Sequence, residues 1–177
     1  MKKKTIALLL LLLVSALCLT TACKSKDEYA PPAGMQIASD EKANFYLYVP
    51  DDWTVDYMTA AAGAYCSASD PSSVSVMAWD LPYTDSTLDD WWAINESEIK
   101  NIFPDYELVS EENAEIDGLY AKKYIYTGSV GENAFRFMQT ACIKKSTVYL
   151  FTYTSTEELF DSHLAEVETI LGYLRIK

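Results

Sequence analysis

The clearest chemistry in the sequence belongs to Cys23, whose thiol follows the small residues at positions 20–22. Three lysines at positions 2–4 precede an apolar run over residues 6–19, which ends just before those small residues. A basic start, a short apolar stretch and small residues before a cut define a secretory signal, and the run is short for a membrane span. The sequence therefore predicts a signal peptide over residues 1–22, cleaved in front of Cys23.

The residues around Cys23 resemble the signal of bacterial lipoproteins, in which this thiol receives a diacylglycerol and an acyl chain such as palmitate is added. Thr20 stands where a large aliphatic residue is usual, with Leu19 one place earlier. The alternative is an ordinary signal peptide that leaves Cys23 as a thiol, and Cys18 is a lesser candidate because Leu17 is bulky. We expect a protein that is lipid-anchored at the extracytoplasmic face of a cell membrane and does not cross it.

Catalytic and metal chemistry has few candidates. His163 is the only histidine and lies on the flank of a predicted helix, where a packed, hydrogen-bonded ring is a better interpretation than a catalytic base. There is no phosphate loop, no dinucleotide fingerprint and no zinc motif. Acidic pairs occur at positions 51–52, 89–90 and 111–112, but adjacent carboxylates rarely converge on one cation. The sequence predicts neither an enzyme nor a bound metal or cofactor.

Trp91, Trp92 and Asn95 are the candidate binding residues. Asn95 falls within the apolar arc of a predicted helix, so its amide is either hydrogen-bonded to a strand in the core or forms the polar floor of a pocket beside the two tryptophans. The core position is the favoured one. A ligand pocket lined by all three would instead indicate a receptor for a small ligand or a cation.

Charge excludes one class of partner. The chain carries 14 basic and 26 acidic residues, and removal of the three signal lysines leaves 11 against 26, a net charge of −15. Nucleic-acid binding requires lysine and arginine side chains that neutralise phosphates, and no large basic cluster survives cleavage. We therefore expect no nucleic-acid partner.

The elements that must position these residues follow from the hydrophobic pattern. Residues 24–44 are polar and predict a flexible tether after Cys23, so the folded domain is expected over residues 45–177. Alternating patterns predict strands, and the dipeptide Asp117-Gly118 predicts a tight hairpin. The predicted strands span residues 45–49, 53–57, 64–67, 73–79, 106–116, 119–127, 134–143 and 147–154.

Two segments have a helical period. One begins at Thr87, is stopped by Pro104, and places apolar residues up to Phe103 on one side. The other begins at Ser155, where Glu158 completes a predicted capping box. Short turns between strands with two amphipathic helices predict an α+β fold: a central antiparallel β-sheet flanked by helices on both faces.

The order of these elements resembles the PsbP family. Its hallmarks are an early strand with a proline and tryptophan turn, as at residues 45–53, and a glycine before a tyrosine-rich strand, as at residues 118–126. A strand at residues 149–154 then leads into the C-terminal helix from Phe160. The resemblance implies an α/β/α sandwich. Plant members are extrinsic subunits of the photosynthetic oxygen-evolving complex, but fold alone does not carry function.

Two functions of different class are compatible with the sequence. The first is a non-catalytic PsbP-like domain that binds an extracytoplasmic protein partner. Tyr120, Tyr124 and Tyr126 share one strand face, and Tyr149 and Tyr153 share another. Most of these tyrosines are expected in the core or at its rim, and any that are exposed would mark the partner surface. The second is the receptor for a small ligand or cation. Cys66 and Cys142 are expected to be free thiols, since strand parity places them on opposite sheet faces, and a disulfide is the alternative.

Overall fold

The computed structural model describes residues 29–56 and 61–177, of which residues 31–177 form one compact unit. The signal peptide and Cys23 lie outside the described residues. The strands are β1 Met35–Ile37, β2 Phe45–Tyr46, β3 Tyr48–Pro50, β4 Thr54–Asp56, β5 Ala62–Tyr65, β6 Ser73–Asp80, β7 Glu107–Ile116, β8 Leu119–Val130, β9 Asn133–Lys144, β10 Thr147–Thr156 and β11 Arg175–Ile176. The helices are α1 Leu88–Ile102 and α2 Phe160–Tyr173.

Seven strands form one antiparallel sheet in the order β4-β5-β6-β10-β9-β8-β7. Consecutive strands β7 to β10 are joined by tight turns, as the sequence predicts. At the first of these turns Asp117 and Gly118 have φ angles of 50° and 77°, which glycine and aspartate tolerate better than most residues. Strands β4, β5 and β6 also pair in chain order, whereas the neighbours β6 and β10 come from distant parts of the chain and align Ser73–Asp80 with residues 147–154.

Helix α1 has its N-cap at Thr87, the residue from which the sequence predicts the helix. The Thr87 hydroxyl accepts a hydrogen bond from the Asp90 backbone N–H at 3.1 Å, and the Asp90 carboxylate accepts one from the Thr87 N–H at 3.1 Å. This reciprocal capping box satisfies two backbone donors that the helix would otherwise leave unpaired. At the other end Ile102, predicted on the buried side, is 67% exposed because it follows the last buried turn at Ile99.

The start of helix α2 differs from the prediction. Strand β10 continues to Thr156, and the helix begins at Phe160 after Leu159, which makes no side-chain cap. Ser155 is therefore no capping residue: it is buried in the strand, and its hydroxyl lies 2.7 Å from that of Ser72. The sequence pattern predicts that Ser155 caps the helix, but its hydroxyl is hydrogen-bonded to Ser72, which is distant in sequence.

The two helices join two different apolar clusters. Buried residues of α1 pack with Tyr124, Tyr126, Phe137 and Leu150, whereas buried residues of α2 pack with Met138, Phe151 and Tyr153. Along β9 and β10 the members of the two clusters alternate, as side chains on opposite sides of a strand do. In the described part of the chain, neither helix is long and apolar enough to cross a bilayer.

The ordered structure begins before the predicted boundary at residue 45. Met35–Ile37, within the segment expected to be a flexible tether, pairs antiparallel with Tyr48–Pro50. The Gln36 side-chain amide also donates to the backbone carbonyls of Pro50 at 3.1 Å and Trp53 at 2.7 Å. These backbone contacts hold the segment even though it lacks a hydrophobic period, which is why the sequence pattern missed it.

Candidate functional site

An open groove lies between helix α1, the end of strand β6 and the connection between them. Its volume is about 470 Å³. The connection contributes Leu81, Pro82 and Tyr83, and the strand contributes Trp79. The helix contributes Trp91, Ile94 and Asn95.

The apolar walls of this α1 groove face solvent. Tyr83 is 70% exposed, Ile94 66% and Trp79 37%. The rings of Trp79 and Trp91 lie next to each other with centroids 6.3 Å apart, so the aromatic wall continues from the strand onto the helix. Large apolar side chains that are exposed together on a folded domain mark a surface for association.

Carboxylates border the α1 groove at Asp85, Asp90 and Glu98. Hydrogen bonds from the hydroxyl and backbone of Thr87 lower the pKa of Asp90 below its ordinary value, so this carboxylate is charged at neutral pH. Among the described basic residues near this helix, Lys100 is paired with Glu96 at 3.1 Å. The border of the groove is therefore acidic.

The three predicted binding residues do not all reach the groove. Trp91 and Asn95 line it, whereas Trp92 does not. Both tryptophans are buried, at 6% and 7% exposed, and pack in the same core cluster beneath α1. The Trp92 ring stacks on that of Tyr124 with centroids 3.6 Å apart and planes at 5°. The helical period does not distinguish the two neighbouring tryptophans, since both lie near the same face.

The side chain of Asn95 agrees with both interpretations that the sequence allows, a core amide bonded to a strand and the polar floor of a pocket. Its Nδ2 donates to Oε1 of Gln139 on strand β9 at 3.2 Å, as the core interpretation requires, and it also lines the α1 groove. Gln139 lies 3.5 Å from the Thr152 hydroxyl on the neighbouring strand. This chain of amides and a hydroxyl fixes the polar floor of the groove to the sheet.

A second cluster was missed by the sequence analysis. Cys66, Asp70 and His163 each place a ligand-type atom within 4.8 Å of the others, and all three are partly buried. Nε2 of His163 lies 2.7 Å from Oδ2 of Asp70. The prediction of a packed, hydrogen-bonded histidine describes this ring, but no local pattern indicates that Cys66 and Asp70 lie beside it.

The surroundings of the Cys66 cluster are acidic. Burial raises the pKa of the Cys66 thiol, and the nearby carboxylates of Asp70, Glu166 and Asp52 raise it further. For Asp70, burial acts to raise the pKa, but hydrogen bonds from Ser72 and His163 outweigh it and lower the pKa. A thiol in such a field stays protonated and is a poor nucleophile.

Cys66 and Cys142 are both free thiols in the structure. The predicted placement on opposite sheet faces is wrong, because Cys66 packs against the same apolar cluster that contains Cys142. Parity along a strand could not decide this, since Cys66 follows the last residue of β5 and belongs to a loop. Burial raises the pKa of Cys142 to about 12.

No protein-family profile and no curated protein sequence matches the chain. Solved structures do. Cyanobacterial PsbP (CyanoP) from Synechocystis sp. PCC 6803 aligns with a TM-score of 0.61 at 17% identity, covering 89% of this chain and 99% of that one. LpqN, involved in cell envelope biogenesis of Mycobacterium tuberculosis, aligns with a TM-score of 0.57 at 17% identity, covering 81% and 91%. The chain has a PsbP-like fold.

A third solved structure that is similar to this chain belongs to a protein with a different description. The Ran-binding protein Mog1p of Saccharomyces cerevisiae aligns with a TM-score of 0.51 at 9% identity, covering 75% of this chain and 83% of that one. At these identities the likeness establishes the PsbP-like fold alone, and function must be argued from the residues of this chain.

Most of the tyrosines on β8 and β10 are core residues, as the sequence predicts. Tyr124, Tyr126, Tyr149 and Tyr153 are buried, and of the set on β8 only Tyr120 is exposed. Trp79 and Tyr83 form an exposed aromatic surface at the α1 groove. Trp79 lies within the alternating pattern of β6, which does not show that its ring is exposed, and Tyr83 lies in the following loop, which has no period.

Proposed function

We propose that the protein is a non-catalytic accessory domain, lipid-anchored through Cys23 at the extracytoplasmic face of the membrane, which binds an extracytoplasmic protein through the α1 groove. The observation that carries this proposal is the exposed apolar wall formed by Trp79, Tyr83 and Ile94. Tyrosine and tryptophan dominate the energetically important positions of protein interfaces.

The chemistry of the groove selects its occupant. An aliphatic or aromatic side chain fits between Ile94 and the aromatic wall, and lysine or arginine residues beside it face Asp85 and Glu98 at the border. A small molecule would bind more weakly, because Tyr83 and Ile94 are mostly exposed and would not enclose it. The occupant is therefore a protruding, basic segment of a folded partner.

The envelope location is supported by two observations of different kind. The signal-like residues before Cys23 suit export and acylation, and the printed description of LpqN places that protein in cell envelope biogenesis. The alternation of the two apolar clusters along β9 and β10 supports the α/β/α sandwich inferred for the domain. Such a sandwich leaves the exposed side of α1 free to meet a partner.

The anchor is tested by Cys23→Ser in the native host. We expect the variant to move from the membrane fraction to the soluble extracytoplasmic or secreted fraction with its folding unchanged, since Cys23 precedes the compact unit that begins at Pro31. Mass spectrometry of the parent should find a diacylglycerol and a fatty acid on this residue. Membrane retention of the variant, together with an unmodified parent, contradicts lipid anchoring.

The groove is tested by comparing Ile94→Lys with Val130→Lys. Both variants should fold, because both residues are exposed, at 66% and 56%. Of the two, Ile94 lines the groove and Val130 does not. We expect partners that co-purify from detergent-solubilised membranes to be depleted at least about tenfold by Ile94→Lys, the loss of one interface anchor, and unchanged by Val130→Lys. Equal recovery with both variants, or depletion of a small molecule without any protein, contradicts the proposal.

A further inference from the structure

The cluster of Cys66, Asp70 and His163 combines three donors that are distant in sequence. Cys66 directly follows strand β5, Asp70 lies in the loop to β6, and His163 is in the first turn of α2. Their sulfur, oxygen and nitrogen atoms lie within 4.8 Å of one another. We propose that these three side chains bind a Zn²⁺ ion.

The donor set selects the class of metal. Thiolate, imidazole and carboxylate together are ligands of zinc, whereas calcium and magnesium are bound by oxygen donors alone. Zinc bonds of about 2.0–2.3 Å place the ligand atoms of a tetrahedral site roughly 3.5 Å apart. The three ligand atoms already lie within 4.8 Å of one another, and the 2.7 Å contact between Nε2 of His163 and Oδ2 of Asp70 must open to admit the ion.

The second nitrogen of the His163 ring has the carboxylate neighbour that is typical of a metal-binding histidine. Nδ1 of His163 faces Oε2 of Glu166 at 3.8 Å, and the same oxygen accepts a hydrogen bond from Nε1 of Trp53 at 3.2 Å. Ligating histidines commonly present their second nitrogen to a carboxylate, which fixes the ring and raises its basicity. Glu166 therefore acts as a positioning residue that directs Nε2 toward the ion.

The loop between β5 and β6 holds the other two ligands in place before any ion arrives. The Cys66 N–H donates to the Ser72 carbonyl at 2.8 Å, and the Ser67 N–H donates to the Asp70 carbonyl at 3.0 Å. Oδ1 of Asp70 accepts from the Ser72 N–H at 3.0 Å, which leaves Oδ2 for the site.

Three protein ligands leave the fourth tetrahedral position open. Because Cys66, Asp70 and His163 are partly exposed, water or a donor from a partner can occupy it. The site lies at α2 and the β5–β6 loop, away from the residues of the α1 groove, and it does not rest on the proposed docking function. The protein would thus bind a transition metal in addition to its partner.

Cobalt substitution tests the site directly. The full-length chain is purified in detergent with Cys18 and Cys23 replaced by serine, so that Cys66 and Cys142 are the remaining thiols. We expect one Co²⁺ per chain with a thiolate-to-metal charge-transfer band in the near ultraviolet, which an equivalent of Zn²⁺ removes. Cys66→Ser should abolish the band, and the matched control Cys142→Ser should retain it.

Further variants separate a ligand role from a folding role. His163→Gln and Asp70→Asn, checked for folding by circular dichroism, should each weaken Zn²⁺ affinity at least tenfold, and Glu166→Gln should weaken it by about 10–100-fold. No charge-transfer band in the parent, a band that survives Cys66→Ser, or unchanged affinity in folded His163→Gln overturns the proposal.

Discussion

Neighbouring tryptophans on helix α1 have different roles. Both are buried, but Trp92 stacks on Tyr124 inside the domain, while Trp91 also contacts Trp79 and lines the groove. Both were predicted as binding residues, because helical spacing resolves a face but not the 100° that separates consecutive residues on it. The distinction comes from the sheet, which places Tyr124 under one ring and leaves space beside the other.

Stability should follow this division. Trp92→Ala removes a buried, stacked ring and should lower the free energy of unfolding by about 3–5 kcal/mol. Ile94→Ala, two residues along the same helix but exposed, should change it by less than about 0.5 kcal/mol. Urea unfolding followed by tryptophan fluorescence and circular dichroism measures both, and equal losses would mean that Ile94 is packed.

The reactivity of Cys66 should depend on its acidic neighbours. Burial and the charges of Asp70, Glu166 and Asp52 raise the pKa of this thiol, so less thiolate is present at neutral pH than for an ordinary cysteine. Glu166→Gln removes one charge and lowers the pKa, which increases the thiolate fraction and speeds alkylation. The pH profile of the alkylation rate, measured without metal, should therefore shift to lower pH.

The control for this experiment is Glu158→Gln. This exposed carboxylate lies in the turn before α2 and is not among the groups that raise the pKa of Cys66. Its profile should coincide with that of the parent. Cys142 should stay unreactive in every folded variant, since it is buried. A profile that is unmoved by Glu166→Gln would show that the carboxylate does not influence the thiol.

Helix termini show which local patterns specify an element. The start of α1 could be predicted because Thr87 and Asp90 satisfy each other within one turn. The start of α2 could not, because Ser155 bonds to Ser72, 83 residues away, and stays in the strand. A capping pattern predicts a helix start only where no tertiary partner competes for the side chain.

The end of α1 is fixed by its contact with strand β8. A Cβ added at Gly128 would lie 2.7 Å from Cγ of Phe103, the residue that closes the helix, so Gly128→Ala must displace that ring. We expect a loss of about 1–3 kcal/mol in the free energy of unfolding, typical of an overpacked site. Thermal and urea unfolding measure it.

Gly172→Ala is the matched control. This glycine lies in α2 with nothing within 4 Å of the added Cβ, so alanine should be neutral or stabilise the helix by up to about 1 kcal/mol. Equal effects at the two positions would show that the contact between Phe103 and β8 does not constrain the helix.

Much of the whole molecule could be predicted from periodicity. The strands from β7 to β10 and both helices, apart from the start of α2, follow from alternating and helical patterns joined by short turns. The resemblance to the PsbP family depends on the residues at positions 45–53, 118–126 and 149–154 and on the C-terminal helix, and the solved structures confirm a PsbP-like fold. Contacts that depend on distant segments could not be predicted: the pairing of β6 with β10, the addition of Met35–Ile37 to β3, and the meeting of Asp70 with His163, 93 residues apart. Both candidate sites depend on such contacts.

Photo-crosslinking in the native host tests the central claim, that the α1 groove binds a protein. A photoreactive amino acid is placed at Ile94 or, as the matched exposed control, at Val130. The account predicts a protein adduct from position 94 that is absent from position 130 and is reduced several-fold by Glu98→Lys, which reverses a charge at the groove border. Equal adducts from both positions, or no adduct from position 94, would contradict it.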